Sequence, residues 1–309
     1  MRYPRTVRIR EVGPRDGIQG ERVQVPTEKK IELIDALSAA GLSSIEAAAF
    51  VSPAAVPQMA DALQVFQGIA RRAGVVYSAL VPNRRGAEMA VDAGADSLQV
   101  FVAATDSYNL RNVRRTVRES MTSVADVASV ARAAEVPLEA TISTAFGCPY
   151  EGDVPPARVV EVSRWVLEEG VSTISYGDTT GMGTPRRVAD VLDALRAELP
   201  EVIPNMHFHD TRGTGLANVL LALELGVEYF DASIGGMGGS PFASGATGNI
   251  ATEDLIHMLE DMGVSTGVDL DLLLDAAAVA QRLIGGELPS KLLKAGPRRS
   301  ALGPVARAD

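Results

Sequence analysis

The stretch TEKKIELIDALSAAGLSSIEAAA, residues Thr27–Ala49, reads as helix, glycine, strand. Thr27–Ala40 has helical periodicity, and Thr27, followed by Glu28-Lys29-Lys30, is its expected N-cap. Gly41 falls where the helix should stop. Ser44–Ala49 is then a short apolar strand. A helix ending in glycine and running into such a strand is the αβ turn of a parallel sheet. Gly94, Gly170 and Gly226 hold the same position further along the chain.

Working outward, the pattern predicts eight strands: Val7–Val12, Ser44–Ala49, Val75–Val81, Ser97–Val102, Leu138–Thr144, Thr173–Gly177, Asn205–Asp210 and Glu228–Ile234. Helical stretches such as Pro185–Leu199 lie between them. Eight units point to a closed (β/α)₈ TIM barrel of the α/β class. The alternative, an open doubly wound sheet, lacks its Gly-x-Gly-x-x-Gly loop after the first strand. The expected division is a catalytic barrel over 1–265 and a short C-terminal helical extension with a tail over 266–309, in which Leu270–Leu283 reads as helix. The chain has 309 residues, and a barrel uses about 250 of them as a single domain.

Bulk properties narrow the partners. A hydrophobic fraction of 46% supports a large core, and a net charge of −10 argues against nucleic acid or an anionic membrane surface as partner. No run of about 18 apolar residues is present, and the N-terminus carries no signal-type apolar stretch. The single cysteine, Cys148, fits a cytoplasmic protein. In Phe146-Gly147-Cys148-Pro149-Tyr150 it is either a small packing residue or a reactive thiol.

In a (β/α)₈ barrel the chemistry sits at the C-terminal ends of the strands. Glu11 to Gly17, Glu46, Asp178, His207-Phe208-His209-Asp210, the glycine-rich stretch from Gly235 and Asn249 all fall there. Residues i and i+2 of a strand share a face, so His207 and His209 can aim at one ion. The alternative is a hydrogen-bonded core pair. Asp16 and Asn249 sit at suitable strand ends to complete two nitrogen and two oxygen ligands. That set suits Mg²⁺ or Mn²⁺, with Zn²⁺ as a further option. The third histidine, His257, reads as a helix-surface or packing residue. Arg15 offers a planar fork for a thioester carbonyl or enolate oxygen; a surface ion pair with Asp16 is the plainer reading. Glu46 within an apolar strand needs a partner, structural or catalytic, and Asp178 is similar. Gly235–Gly248 suits a loop that closes over substrate, or a plain flexible connection.

At these residues the chain resembles the hydroxymethylglutaryl-CoA lyase family, among the metal-dependent barrels that include isopropylmalate-synthase-type enzymes. The likeness runs from about Val7 to Val268. It is carried by Glu11-Val12-Gly13-Pro14-Arg15-Asp16-Gly17, Phe50-Val51-Ser52-Pro53, Gly147-Cys148-Pro149-Tyr150-Glu151-Gly152, Gly177-Asp178-Thr179, His207-x-His209-Asp210-Thr211 and Ala251-Thr252-Glu253-Asp254-Leu255. The resemblance implies a divalent metal on Asp16, His207, His209 and Asn249, an acyl-CoA substrate and a homodimer. It implies that Arg15 steadies the enolate oxygen and that Glu46 and Glu253 support the site. Asp16, Glu46 and His207 are the acid–base candidates. Asp178, Arg212 and Gly239 are expected substrate contacts. Two departures stand out. Ser240 occupies the place of the family's usual cysteine, and its hydroxyl is a far weaker acid than a thiol of pKa about 8.5. Arg212 follows Thr211 where the family usually has Tyr-Gly-Gln, and is expected to meet a different acyl group. The expected reaction is carbon–carbon cleavage of a 3-hydroxy-3-methylglutaryl-CoA-like thioester. The rival readings are an aldolase or Claisen-type enzyme on the same barrel and a binding paralogue that has lost catalysis.

Overall fold

A computed structural model describes residues 3–21, 23–239 and 248–298. Eight parallel strands close on themselves in sequence order. They are β1 Arg8–Glu11, β2 Ser44–Ala49, β3 Val76–Leu80, β4 Ser97–Ala103, β5 Leu138–Ser143, β6 Thr173–Gly177, β7 Pro204–His207 and β8 Tyr229–Ala232. β8 returns to β1 through the register Arg10↔Asp231 and Glu11↔Ala232. The described helices are α1 Thr27–Ala39, α2 Ala62–Gly68, α3 Arg84–Asp92, α4 Asp106–Val113, α5 Val117–Ala133, α6 Pro156–Glu168, α7 Pro185–Glu198, α8 Gly215–Glu224, α9 Thr252–Asp261, α10 Leu270–Ile284 and α11 Lys291–Ala295. None is long and apolar enough to cross a membrane.

The four interstrand glycines do what their positions predict. Gly41, Gly94, Gly170 and Gly226 have φ of +97°, +83°, +93° and +78°, a left-handed turn that side chains resist. One expectation at the opening stretch fails. Thr27 is the first helical residue rather than the cap: Pro26 precedes it, its carbonyl accepts from Lys29 N and Lys30 N, and the Thr27 hydroxyl donates instead to Asp61 Oδ2 (2.7 Å). Proline already supplies the extended φ and ψ that an N-cap needs.

Buried apolar residues such as Ile9, Ile45, Leu98, Ile142, Ile174, Met206 and Phe230 alternate along the strands with buried polar ones. The polar set, Arg10, Glu46, Ser78, Gln99, Ser175, Asn205, His207 and Asp231, comes from seven of the eight strands. Period-two alternation therefore separates an apolar layer under the helices from a polar interior. α10 packs against α1 and α9, and α11 against α9, so the chain after β8 wraps the barrel's side. Asp254 fastens α11: its carboxylate accepts from Ser290 Oγ, Lys291 N and Leu292 N.

The predicted strand ends agree within two residues except at β7. It stops at His207, not Asp210. Phe208 O instead accepts from Ile250 N (3.1 Å), Gly248 O accepts from Asp210 N (3.1 Å), and His209 forms an antiparallel bridge with Asn249. The segment after the glycine-rich loop has displaced the parallel ladder.

Candidate active site

The turn after β1 sets two of the charged residues. Val12 O accepts from Arg15 N, Asp16 N and Gly17 N in one tight turn, which lifts both side chains over the barrel mouth. Arg15 then donates twice: Nε to Glu46 Oε2 (2.6 Å) and Nη1 to Asp16 Oδ1 (2.7 Å). Gln19 Nε2 adds a third bond to Asp16 Oδ1 (2.8 Å). Burial opposes ionisation of Asp16, but Arg15, His207 and His209 outweigh it and hold the carboxyl below its usual range. For Glu46 burial wins against Arg15 and Arg10, and its pKa is raised. Arg15 is the partner that a carboxylate inside an apolar strand was expected to need, whether structural or catalytic.

The two histidines arrive by different routes. His207 closes β7, whereas His209 is fixed by its bridge to Asn249. Their rings tilt by 53° at 5.2 Å, and their Nε2 atoms stand 3.2 Å apart. Two lone pairs at that distance repel, and two N–H groups clash. A shared proton or a shared cation resolves both. Asp16, His207 and His209 each offer a ligand atom, all within 4.8 Å of one another. Asn249 Nδ2 donates to Asp16 Oδ2 (2.8 Å) and Met237 O (3.0 Å). Its Oδ1 is buried with no hydrogen-bond partner among the described residues, an oxygen left over beside the other three ligands. Two imidazoles, a carboxylate and an orphaned amide oxygen fit a hard or borderline divalent cation. Gly238 is required here. Its φ is +105°, and a Cβ would stand 2.7 Å from Asn249 Nδ2 and 3.2 Å from Asp16 O.

The other expected site residues are less central. Asp178 is fully buried; Oδ1 accepts from Gly183 N (2.8 Å), and burial pushes its pKa to about 7. Arg212 is exposed, and its Nη1 donates to Thr180 O (2.9 Å) and Gly181 O (2.8 Å), tying the β7 and β6 loops together. Gly239 is half-buried beside Gly238. Ser240 lies outside the described residues. Glu253 Oε2 accepts from Gly235 N (3.0 Å), and Glu11 accepts from Gly13 N, Ile234 N and Thr252 Oγ1. Burial lifts both carboxyls to about 7. Cys148 is buried under the Thr105 hydroxyl (3.2 Å), a packing position. His257 lines a cleft of about 690 Å³ between α8, α9 and α11.

Sequence reasoning missed the layer beneath the cluster. Asp231 Oδ2 lies 3.1 Å from His207 Nδ1, and Arg10, Asn205 and Ser175 all donate to the same carboxylate. The signal was present: Asp231 inside Tyr229–Ala232 is a charge in an apolar strand, as Glu46 is.

Three comparisons bear on this site. The model of the family described as HMGL-like matches residues 6–280. The hydroxymethylglutaryl-CoA lyase YngG of Bacillus subtilis is 46% identical over 95% of this chain and 98% of its own. The mitochondrial hydroxymethylglutaryl-CoA lyase of Gallus gallus is 45% identical over 96% of this chain and 99% of its own. A solved HMG-CoA lyase from Acenitobacter baumannii, in complex with coenzyme A and 3-methylmalate, superposes with a TM-score of 0.92 at 42% identity, covering 99% of both chains.

Proposed function

This chain belongs to the HMGL-like family, and from that premise we propose that it is a carbon–carbon lyase that cleaves 3-hydroxy-3-methylglutaryl-CoA, or a close thioester, to acetyl-CoA and acetoacetate. The observation that carries the reading is the cluster of Asp16, His207, His209 and Asn249 with Arg15 bonded to Asp16 beside it. Asp16, His207, His209 and Asn249 would hold the divalent cation, Mg²⁺ or Mn²⁺ before Zn²⁺, given two oxygen donors. When bound, the cation acidifies the substrate's 3-hydroxyl and polarises its oxygen.

The chain's own residues do the rest. Among the acid–base candidates, Glu46 is sealed behind Arg15, and His207 Nδ1 is committed to Asp231. Asp16, with 13% of its side chain exposed, is the carboxylate that substrate can reach. It takes the hydroxyl proton. The O–H electron pair then forms the ketone C=O as the C2–C3 bond breaks, and that bond's electrons become the thioester enolate. Arg15, braced by Glu46 at 2.6 Å, faces the enolate oxygen with a fixed charge. Removing one such preorganised donor costs about 10²–10³ in kcat. The enolate carbon takes a proton by way of Ser240 or a water that Ser240 orients, the proton held by Asp16 passes back to that donor, and acetyl-CoA leaves with the site restored. Arg212 and Asp178 belong to the acyl end of this proposal, and Gly239 to the loop that covers it.

The proposal extends to a catalytic barrel over 1–265 with residues 266–309 as an extension, and to a homodimer, which light scattering would measure. The lone buried cysteine supports a reducing compartment such as the cytoplasm. Turnover tests the function: protein with Mg²⁺ or Mn²⁺ should convert 3-hydroxy-3-methylglutaryl-CoA to acetyl-CoA and acetoacetate, lose activity to a chelator, and regain it on metal addition. Absence of product with metal bound would sink the assigned substrate. Asp16→Asn that keeps full metal binding and turnover would sink the mechanism.

A further inference from the structure

The polar interior of the barrel is organised around one carboxylate. Asp231 accepts from Arg10 Nε at Oδ1 (2.8 Å) and from Arg10 Nη2 at Oδ2 (2.9 Å). Asn205 Nδ2 adds a bond to Oδ1 (2.7 Å), and Ser175 Oγ one to Oδ2 (3.1 Å). His207 Nδ1 is the fifth contact, at Oδ2 (3.1 Å). Arg10 is itself anchored from the other side, with Nη1 on Glu139 Oε2 (2.6 Å). A guanidinium only donates, and so do the Asn205 amide nitrogen and the Ser175 hydroxyl in these contacts. Four donors on two oxygens leave Asp231 as acceptor only. The remaining atom, His207 Nδ1, must therefore carry a hydrogen.

That has a consequence one bond further along. An imidazole with its proton on Nδ1 has its lone pair on Nε2. His207 Nε2 is the atom 3.2 Å from His209 Nε2 and 4.0 Å from Asp16 Oδ2. We infer that Asp231, locked by the Arg10 fork and by Asn205 and Ser175, is a positioning residue that holds His207 in its Nδ1–H tautomer and aims the Nε2 lone pair into the space between Asp16 and His209. The site is built before any cation arrives. β8, β6 and β1 each contribute one member and β7 contributes two, Asn205 and His207, so the closure of the barrel itself, through the Arg10↔Asp231 register, sets the ligand. Carboxylates behind metal-binding histidines raise the ring's basicity and fix its rotation, and their loss costs about 10–100-fold in metal affinity. The inference rests on the reading of the cluster as a divalent-cation site.

The test separates the two. With only three histidines in the chain, ¹⁵N-histidine spectra can be assigned by His209→Gln and His257→Gln variants. Wild-type protein in chelator at pH 8.5 should show His207 with a protonated Nδ1 and an unprotonated Nε2. In Asp231→Ala, with helical content unchanged by circular dichroism, that pattern should give way to the Nε2–H form or to a mixture. Mn²⁺ affinity by calorimetry should fall by about 10–100-fold. Finding Nε2–H on His207 in the wild type would overturn the inference without any variant having to fold. So would a folded Asp231→Ala with both tautomer and Mn²⁺ affinity unchanged. Failure of the wild type to bind Mn²⁺ would count against the cation reading instead, since the tautomer is read without metal.

Discussion

Replacing Glu253 by glutamine should stabilise this protein, and only above a defined pH. Glu253 is fully buried, Oε2 accepts from Gly235 N, and Oε1 has no partner among the described residues. Burial raises its pKa from 4.5 to about 7. Between those values the folded state keeps a proton that the unfolded chain releases, so stability falls as pH rises through the window and levels off above it. A shift of roughly 2.5 units at 1.36 kcal/mol each amounts to about 3 kcal/mol, lost in full by pH 8. Glutamine keeps the Gly235 bond and puts a neutral amide nitrogen where Oε1 was. Near pH 5 the two proteins should melt together. At pH 8 the variant should melt about 6 °C higher, taking roughly 2 °C per kcal/mol for a chain of this size. Thermal melts in chelator from pH 5 to 8.5 read the difference directly. Asp178 titrates in the same window and remains in both proteins, so it cancels, whereas Glu11 loses the raising influence of the Glu253 charge in the variant, which favours the variant in the same direction. A melting difference that is flat across this range, or a variant that falls below the wild type at pH 8.5, would refute the argument.

Three further outcomes follow from the site. Gly238→Ala places a Cβ 2.7 Å from Asn249 Nδ2 at φ +105°, so Mn²⁺ affinity should drop by about tenfold or more while the far-UV spectrum holds; calorimetry reads the first and dichroism the second. Ser240→Cys should raise kcat by about tenfold or more, because positioned proton donors contribute about 10²–10⁴ and a thiol gives up its proton more readily; an unchanged steady-state rate would remove residue 240 from the relay. Saturating Mn²⁺ at about 100 times its Kd should add about 2.7 kcal/mol to stability, seen as a rise in melting temperature that Asp16→Asn abolishes.

The fold was legible because its marks are local. A glycine at φ near +90° follows four of the helices, α1, α3, α6 and α8, and a short apolar run follows it; both are visible in residues 27–49 alone. Arg15, Asp16 and the paired histidines were legible because charged groups at strand ends have few structural reasons to be there. His209 was placed correctly for the wrong reason. Strand periodicity put it beside His207, but β7 has ended by then, and the bridge to Asn249 does the work. A contact across 40 residues of chain leaves no local trace. The Arg10–Asp231 pairing was hidden for the same reason: it exists only because β8 closes onto β1. Arg212, an expected substrate contact, also spans the Thr180 and Gly181 carbonyls, a backbone role that leaves no local mark in the sequence.

The bridge between the β7 exit and Asn249 also bears on how such a protein can change. Met237 and Asn249, the two feet of the glycine-rich stretch, are bonded to each other through Asn249 N and Nδ2 on Met237 O, and the neighbours of the far foot are bonded again, Ile250 N to Phe208 O and Asp210 N to Gly248 O. These bonds fix the backbone that carries Asn249 beside His209, and Gly238, between the feet, is held to glycine because a Cβ there would stand 2.7 Å from Asn249 Nδ2. The candidate cation site is thus anchored by main-chain bonds as well as by its own side chains, so a substitution that spares the backbone at Phe208, Asp210 and Met237 leaves Asn249 in place.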